Sequence, residues 1–203
     1  LSQLAALALP RREQEALASA NAFATLGGDR HQIRWQLAAR QQSLPLFEQP
    51  DEVDFRPETA LPEVTEVDAL LADYACTGLT LGRHPLALLR EQGLLGKCHS
   101  AASLWQCRHG QNVTVAGLVV GRQRPGTASG VTFITLEDET GNVNLVVWSD
   151  TARAQRQAYL SARILKVSGV VEFSSGVLHL LAGRLEDISG SMHALVVNSR
   201  DFH

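Results

Sequence analysis

The chain changes its hydrophobic period once, and that change limits its fold more than any other feature. Upstream of Asn112 apolar residues recur at helical spacing. Downstream they alternate, and β-branched residues take over. Val113 to Gly121, Val131 to Glu137, Asn142 to Trp148, Arg163 to Glu172 and Gly176 to Leu185 read as five strands. Asp138-Glu139-Thr140-Gly141 is a tight turn between the second and third, and Phe173-Ser174-Ser175-Gly176 hinges the fourth and fifth. Gly121 to Gly130, with Arg122, Arg124, Pro125 and Gly126, reads as a flexible loop, and Asp150 to Leu160 has helical composition.

Strand, strand, strand, helix, strand, strand within about 75 residues is the order of a five-stranded Greek-key barrel, the OB-fold, whose intervening helix plugs the barrel bottom. Gly117, inside the first strand, falls where a curved sheet needs a bulge or a bend. The predicted class is α+β: N-terminal helical segments, then a five-stranded OB-fold barrel.

Ahead of the barrel, Arg11 to Leu26 has Ala16, Leu17, Ala20 and Phe23 at helical spacing and stops at Gly27-Gly28. Asp29 is placed to cap a second helix, Arg30 to Ala39, with Ile33 and Leu37 on one face. Pro45, Pro50, Pro57 and Pro62 then forbid a continuous helix. Val64 to Cys76, closed by Gly78, and Pro85 to Gln92, stopped by Gly93, read as two more helices. The expected organisation is a helix-hairpin-helix-like segment over 1–40, an extended acidic connector over 41–62, a helical connector over 63–110, the barrel over 111–188 and a tail over 189–203.

Composition narrows the function classes. With 45% hydrophobic and 19% charged residues this is a globular composition, and no apolar run approaches the ~18 residues of a membrane span. The start at Leu1, with neither initiator Met nor signal pattern, points to an excised fragment of a cytoplasmic protein. An odd set of cysteines, Cys76, Cys98 and Cys107, points to reduced thiols. Cys98, His99, Cys107 and His109 lack the paired spacing of a zinc site, so no metal is expected. Glu48 to Ala75 holds nine acidic residues and one basic, whereas Cys76 to Gly110 holds four basic and one acidic. A weakly basic body with one acidic stretch suits nucleic acid, and it equally suits an ordinary solvated linker. No phosphate loop and no nucleophile-base set occurs, so the chain carries no active site of its own.

A barrel of this kind holds single strands by pairing a basic groove with aromatic faces. In the second strand Ile134 and Leu136 share one face, while Phe133, Thr135 and Glu137 share the other. Phe133 therefore either faces the groove or packs on the preceding helices. Arg122 and Arg124 sit on the loop joining strands one and two, placed to grip phosphate or to stand in solvent. Lys166 adds charge on strand four, on a face the sequence does not define. Glu137 would repel phosphate. Trp35, Trp105 and Trp148 read as core or packing residues.

Gly130 to Gly141 followed by Val143 to Trp148 resembles strands two and three of nucleic-acid-binding OB domains, among them those of class II aminoacyl-tRNA synthetases and of C-family DNA polymerase alpha subunits. In those synthetases a phenylalanine at the place of Phe133 stacks on a base. Leu17 to Phe23, Leu26 to Arg30 and Trp35 resemble the helical region preceding the polymerase OB domain. Asp73-Tyr74, Thr77-Gly78-Leu79 and His84-Pro85-Leu86 resemble its connector. Ser199-Arg200-Asp201-Phe202-His203 is similar to the tail of the error-prone branch. The resemblance implies the non-catalytic C-terminal region of a DNA polymerase acting in translesion synthesis and SOS mutagenesis. The metal carboxylates, and hence Mg2+, would belong to a palm domain outside this chain. Single-stranded DNA and other mutagenesis subunits, such as a catalytically inactive Y-family-like polymerase, are the implied partners. Gln41, Leu44, Pro45, Leu46 and Phe47 resemble the linear motif that docks on the sliding clamp, with Gln41 as polar anchor and the apolar residues as plugs; these residues alternatively pack on the body. A protein-interaction module with little DNA binding, and a stand-alone RNA or single-stranded DNA module, remain as other readings.

Overall fold

A computed structural model gives the architecture and describes residues 9–27, 29–39, 61, 64–126, 130–174 and 176–192. Gln41, Leu44, Pro45, Leu46 and Phe47 of the clamp-like motif lie outside the described residues, as does nearly all of the connector and the tail from residue 193. The chain divides into two compact units, residues 1–82 and 83–203. The segment expected as one helical connector, 63–110, is thus shared between them.

The first unit contains α1 (Arg11–Ser19), α2 (Ala24–Gly27), α3 (Arg30–Ala39) and α4 (Glu66–Cys76). The single helix expected over Arg11 to Leu26 is two. Asn21 takes φ 57°, a left-handed conformation that asparagine tolerates better than most residues, and this ends α1 well before Gly27. Asp29 caps α3 as the sequence suggests, its Oδ1 accepting from the Gln32 N–H at 2.9 Å. Ala18, Phe23, Ile33 and Leu37 form a small core. Trp35 departs from expectation: it is 47% exposed, off the face that Ile33 and Leu37 bury. Arg30, only 4% exposed, pairs with Asp73 of α4, and the Thr80 hydroxyl donates to the same carboxylate at 2.7 Å. Partial burial pushes the Asp73 carboxyl up, but Arg30 and Thr80 outweigh it and hold the group below its ordinary value.

The second unit is the barrel and its covering helices. Strands β1 (Asn112–Gln123), β2 (Val131–Asp138), β3 (Gly141–Trp148), β4 (Ile164–Ser174) and β5 (Val177–Asp187) close in the order β1-β2-β3-β5-β4. All pairings are antiparallel except β3 with β5. Strand β1 closes the barrel by serving two partners, β4 along Asn112 to Leu118 and β2 from Leu118 to Gln123. Gly117 stands at that corner, where a Cβ would lie 2.8 Å from the Leu136 Cβ; the missing side chain lets β2 approach. Gly117 marks the bend, and the bulge lies further along, between Val119 and Gly121.

Alternation sends Ile134, Leu136, Val143, Leu145, Val147, Val167, Val171, Leu178 and Leu180 into the barrel, all buried. Each barrel end is closed by helix. Leu104 of α6 (Ala101–Leu104) enters beside the β2–β3 turn, and Ala152, Ala158 and Tyr159 of α7 (Ser149–Ala154) and α8 (Arg156–Ser161) pack at the opposite end. The one helix expected over Asp150 to Leu160 is split at Gln155. Its side chain donates to the Gly183 carbonyl at 3.1 Å and accepts from the Leu185 N–H at 2.6 Å. Helix α5 (Pro85–Glu91) buries Leu86, Leu88 and Leu89. Asp138, buried in the β2–β3 turn, accepts from the N–H groups of Thr140, Gly141 and Ala101 and from the Thr140 hydroxyl, so one carboxylate fixes both the turn and the start of α6.

Candidate nucleic-acid interface

The outer face of β2 and β3 follows from the same alternation that builds the core. If Ile134 and Leu136 point inward, Val131, Phe133, Thr135 and Glu137 must point outward. Their partners on β3 are Trp148, Val146, Asn144 and Asn142 in that order. Residues directly opposite in an antiparallel pair share a face, so these eight side chains form one surface. It is graded from apolar to polar. Phe133 and Trp148 stand diagonally across the pair, close enough for aromatic side chains to reach one another, and are 37% and 53% exposed. Phe133 is therefore not sealed beneath the helices. At the other end the Thr135 hydroxyl donates to Asn144 Oδ1 at 3.4 Å, and Glu137 lies 3.6 Å from His84 Nε2.

Trp148, expected as a core or packing residue, stands exposed instead. The signal was present. Val143, Leu145 and Val147 alternate inward, so Trp148 must face outward with Asn144 and Val146. The next strand position on β1 opposite Thr135 is Gly121, which leaves the middle of the surface uncovered by a side chain.

The four expected site residues do not converge. Arg122 lies within β1, not in the loop, and its guanidinium donates to the carbonyls of Tyr159, at 3.0 Å, and Ala162. These carbonyls end α8, so Arg122 satisfies a helix C-terminus. Arg124 is exposed just past β1, one residue beyond Gln123, the β1 partner of Phe133. Of the two arginines it is the one placed for a ligand on the aromatic end. Lys166 lies on the outer face of β4, its Nζ donating to the Leu95 carbonyl at 3.1 Å. It is far around the barrel from Phe133.

Cys98, His99, Cys107 and His109 each contact a protein group, the Cys107 thiol lying 3.7 Å from the Ser103 carbonyl. Cys98 Sγ donates to the Leu95 carbonyl, the His109 ring accepts from the Phe173 N–H, and His99 Nδ1 lies 3.4 Å from the Ser103 hydroxyl. Among the described residues no group of three His, Cys, Asp or Glu is placed to hold a metal ion, and no helix is long and apolar enough to cross a membrane.

Fold and surface together define the class: a closed OB-fold barrel, with an exposed aromatic pair on β2 and β3, preceded by helices. A family model described as an OB-fold nucleic acid binding domain matches residues 113–188. Nearly end to end, the chain is similar to a segment of the error-prone DNA polymerases. That of Idiomarina loihiensis is 53% identical over 189 residues, 93% of this chain and 18% of its own length. That of Methylococcus capsulatus is 52% identical, covering 96% of this chain and 18% of its own length. Asparaginyl-tRNA synthetase from Pyrococcus horikoshii is 26% identical over 39% of this chain and 20% of its own, with a TM-score of 0.35. The chain spans about a fifth of the length of the curated relatives it matches.

Proposed function

We propose that this chain is the nucleic-acid- and partner-contacting part of an error-prone DNA polymerase acting in translesion synthesis and damage-induced mutagenesis, and that its barrel holds single-stranded DNA on the outer face of β2 and β3. One observation carries the reading: Phe133 and Trp148 are both exposed on that face. Every base offers a π-surface, so two aromatic side chains on one rigid sheet form a stacking platform indifferent to sequence. Arg124 supplies a cation at the aromatic end of the platform. The sheet fixes both rings before the strand arrives, which lowers the ordering cost of binding.

The test is a titration of a fluorescein-labelled oligothymidylate by anisotropy. Phe133→Ala and Trp148→Ala are each expected to weaken binding by about 1 to 3 kcal/mol, the value of one stacked base, with unchanged thermal midpoints. Affinity indifferent to both substitutions removes the platform.

A second reading is a protein-interaction module with little DNA binding. The observation in its favour is electrostatic: Glu137 shares the face with Phe133, and the Arg122 guanidinium is occupied by helix carbonyls. Salt separates the two. Phosphate binding weakens steeply as salt rises, whereas apolar docking is nearly indifferent. The clamp-like segment Gln41 to Phe47 and a Y-family-like partner belong to the same proposal. Clamp capture that survives Leu46→Ala with Phe47→Ala would remove the first.

A further inference from the structure

The outer surface of the barrel away from the aromatic platform contains a groove that the platform does not explain. Strands β1, β4 and β5 and the segment around Lys97 enclose about 530 Å³ there. An adjoining concavity of about 340 Å³ shares Lys97, Thr114, Ser168 and Arg184 and adds Lys166 and Glu186. Three cations thus line the pair of hollows against one carboxylate.

Three features shape this groove for an anion. The register between β4 and β5 slips between Ser168 and Gly169, pairing Ser168 with Arg184 and Gly169 with Ala182. Gly183 is the extra residue, and the bulge turns Arg184 outward beside Ser168. Next, Lys166 donates to the Leu95 carbonyl, holding the turn that presents Lys97. Among the described residues the side chain of neither Lys97 nor Arg184 has a hydrogen-bond or ion-pair partner, and both residues are exposed. Finally, the hydroxyls of Thr114 and Ser168 meet at 2.9 Å on the floor. One proton joins them, and the accepting hydroxyl keeps a proton of its own that can serve a ligand.

Sheet register ties this groove to the platform. Phe133 pairs with Val146, Val146 with Leu181, Leu181 with Val170 and Val170 with Asn112. That is one continuous row around the barrel, and its last three members, Leu181, Val170 and Asn112, line the groove. A chain lying across Phe133 and following this row over β5 arrives at the groove that Lys97 and Arg184 also line.

We propose that the β1–β4–β5 groove is a phosphate-binding extension of the platform, in which Lys97 and Arg184 take the backbone of the same single strand after it crosses β5. The inference rests on the stacking platform of the preceding section. The platform reads bases and the groove reads only phosphodiester charge, so the groove lengthens the footprint without adding sequence preference.

The experiment measures affinity and its salt dependence for oligothymidylates of about four to about sixteen nucleotides, the range of site sizes for one OB barrel. Wild type, the double variant Lys97→Gln with Arg184→Gln, and the double variant Phe133→Ala with Trp148→Ala are compared. The shortest strand is expected to bind wild type and the groove variant alike. Longer strands gain affinity on wild type only, and the groove variant shows a slope of log K against log salt shallower by about 1.4, two phosphates at ~0.7 each. A groove variant that keeps the length-dependent gain and the wild-type slope overturns the extension, while loss of short-strand binding in the aromatic variant would leave the platform standing. Short-strand binding unchanged in the aromatic variant overturns the platform and the extension with it. A polyglutamate peptide that binds wild type as tightly as the long oligonucleotide, and not the groove variant, assigns the groove to an acidic protein and overturns the phosphate reading.

Discussion

Arg122 and Arg124 are two residues apart in sequence and have different surroundings, the first engaged by helix carbonyls and the second exposed. The bulge after Val119 shifts the side-chain alternation of β1, and Arg122 turns toward the end of α8, where two carbonyls have no helical partner. Arg122→Ala is expected to cost about 1 to 2 kcal/mol of stability and to leave the salt slope of DNA binding unchanged. Arg124→Ala is expected to do the opposite, and paired denaturation and anisotropy titrations check both. In the sequence both read as cations of one loop. The sequence does not show the bulge that separates them, because a bulge is a mismatch between two strands and belongs to neither alone. That Phe133 points away from Ile134 and Leu136 was legible from alternation in its own strand, though not what it would meet there; the outward turn of Trp148 was equally legible, but a tryptophan at the junction of a strand and a helix reads as core until its parity is counted. The thiols differ in the same local way. Burial pushes the Cys98 thiol up, against the opposing effect of Lys166 and Arg90, whereas Cys76 is exposed. At neutral pH Cys98 holds less thiolate, so iodoacetamide followed by peptide mass analysis is expected to label Cys76 well before Cys98. Equal rates in the folded protein would contradict the burial of Cys98.

At the scale of elements, helices and strands were legible where their cause is local and were misjudged where it is not. Thr65 caps α4 with its own side chain, and Pro85 opens α5; both signals lie within a few residues of what they determine. Gln155 interrupts a run of good helix formers because β5 offers it a carbonyl and an N–H, and nothing within that run announces this. The glycines of the sheet behave likewise. A Cβ on Gly169 would lie 2.2 Å from the Leu181 carbonyl oxygen, and one on Gly117 2.8 Å from the Leu136 Cβ. The first obstacle is backbone in the neighbouring strand, and the second is a buried side chain at a corner. Gly169→Ala must part β4 from β5, so it is expected to cost more than Gly117→Ala, whose overpacking falls in the range of about 1 to 3 kcal/mol. Urea denaturation midpoints of the two variants give the order. Because Gly169 lies beside the Gly183 bulge, its variant should also weaken long oligonucleotides more than short ones.

Taken whole, the chain has two units of unequal construction. The barrel unit has a core continuous from Val113 to Leu185 and closed at both ends, and its order of elements was readable because hydrophobic period alone separates strand from helix. Among the described residues the first unit has a far smaller core and relies on a charge: Arg30, almost wholly buried, is neutralised by Asp73, which Thr80 also holds. That pairing joins residues 43 apart in sequence, and no local signal marks it. It makes the first unit sensitive to acid in a definite direction. Asp73 has a carboxyl pKa held below its unfolded value of about 3.9, so its contribution is complete above that pH and is lost as pH falls through the lower folded value. Protonation would then leave Arg30 as an unpaired buried cation, a costly state. On acidification from neutral pH, amide signals of Glu66 to Cys76 in a ¹⁵N spectrum are therefore expected to lose dispersion below about pH 4. Asp73→Asn is expected to destabilise the first unit already at pH 7 and to remove this acid step, while the barrel signals from Asn112 to Asp187 follow the wild-type course. An acid step of unchanged size in Asp73→Asn would show that the sensitivity of the first unit arises from other carboxylates and that the Arg30 pairing does not govern it.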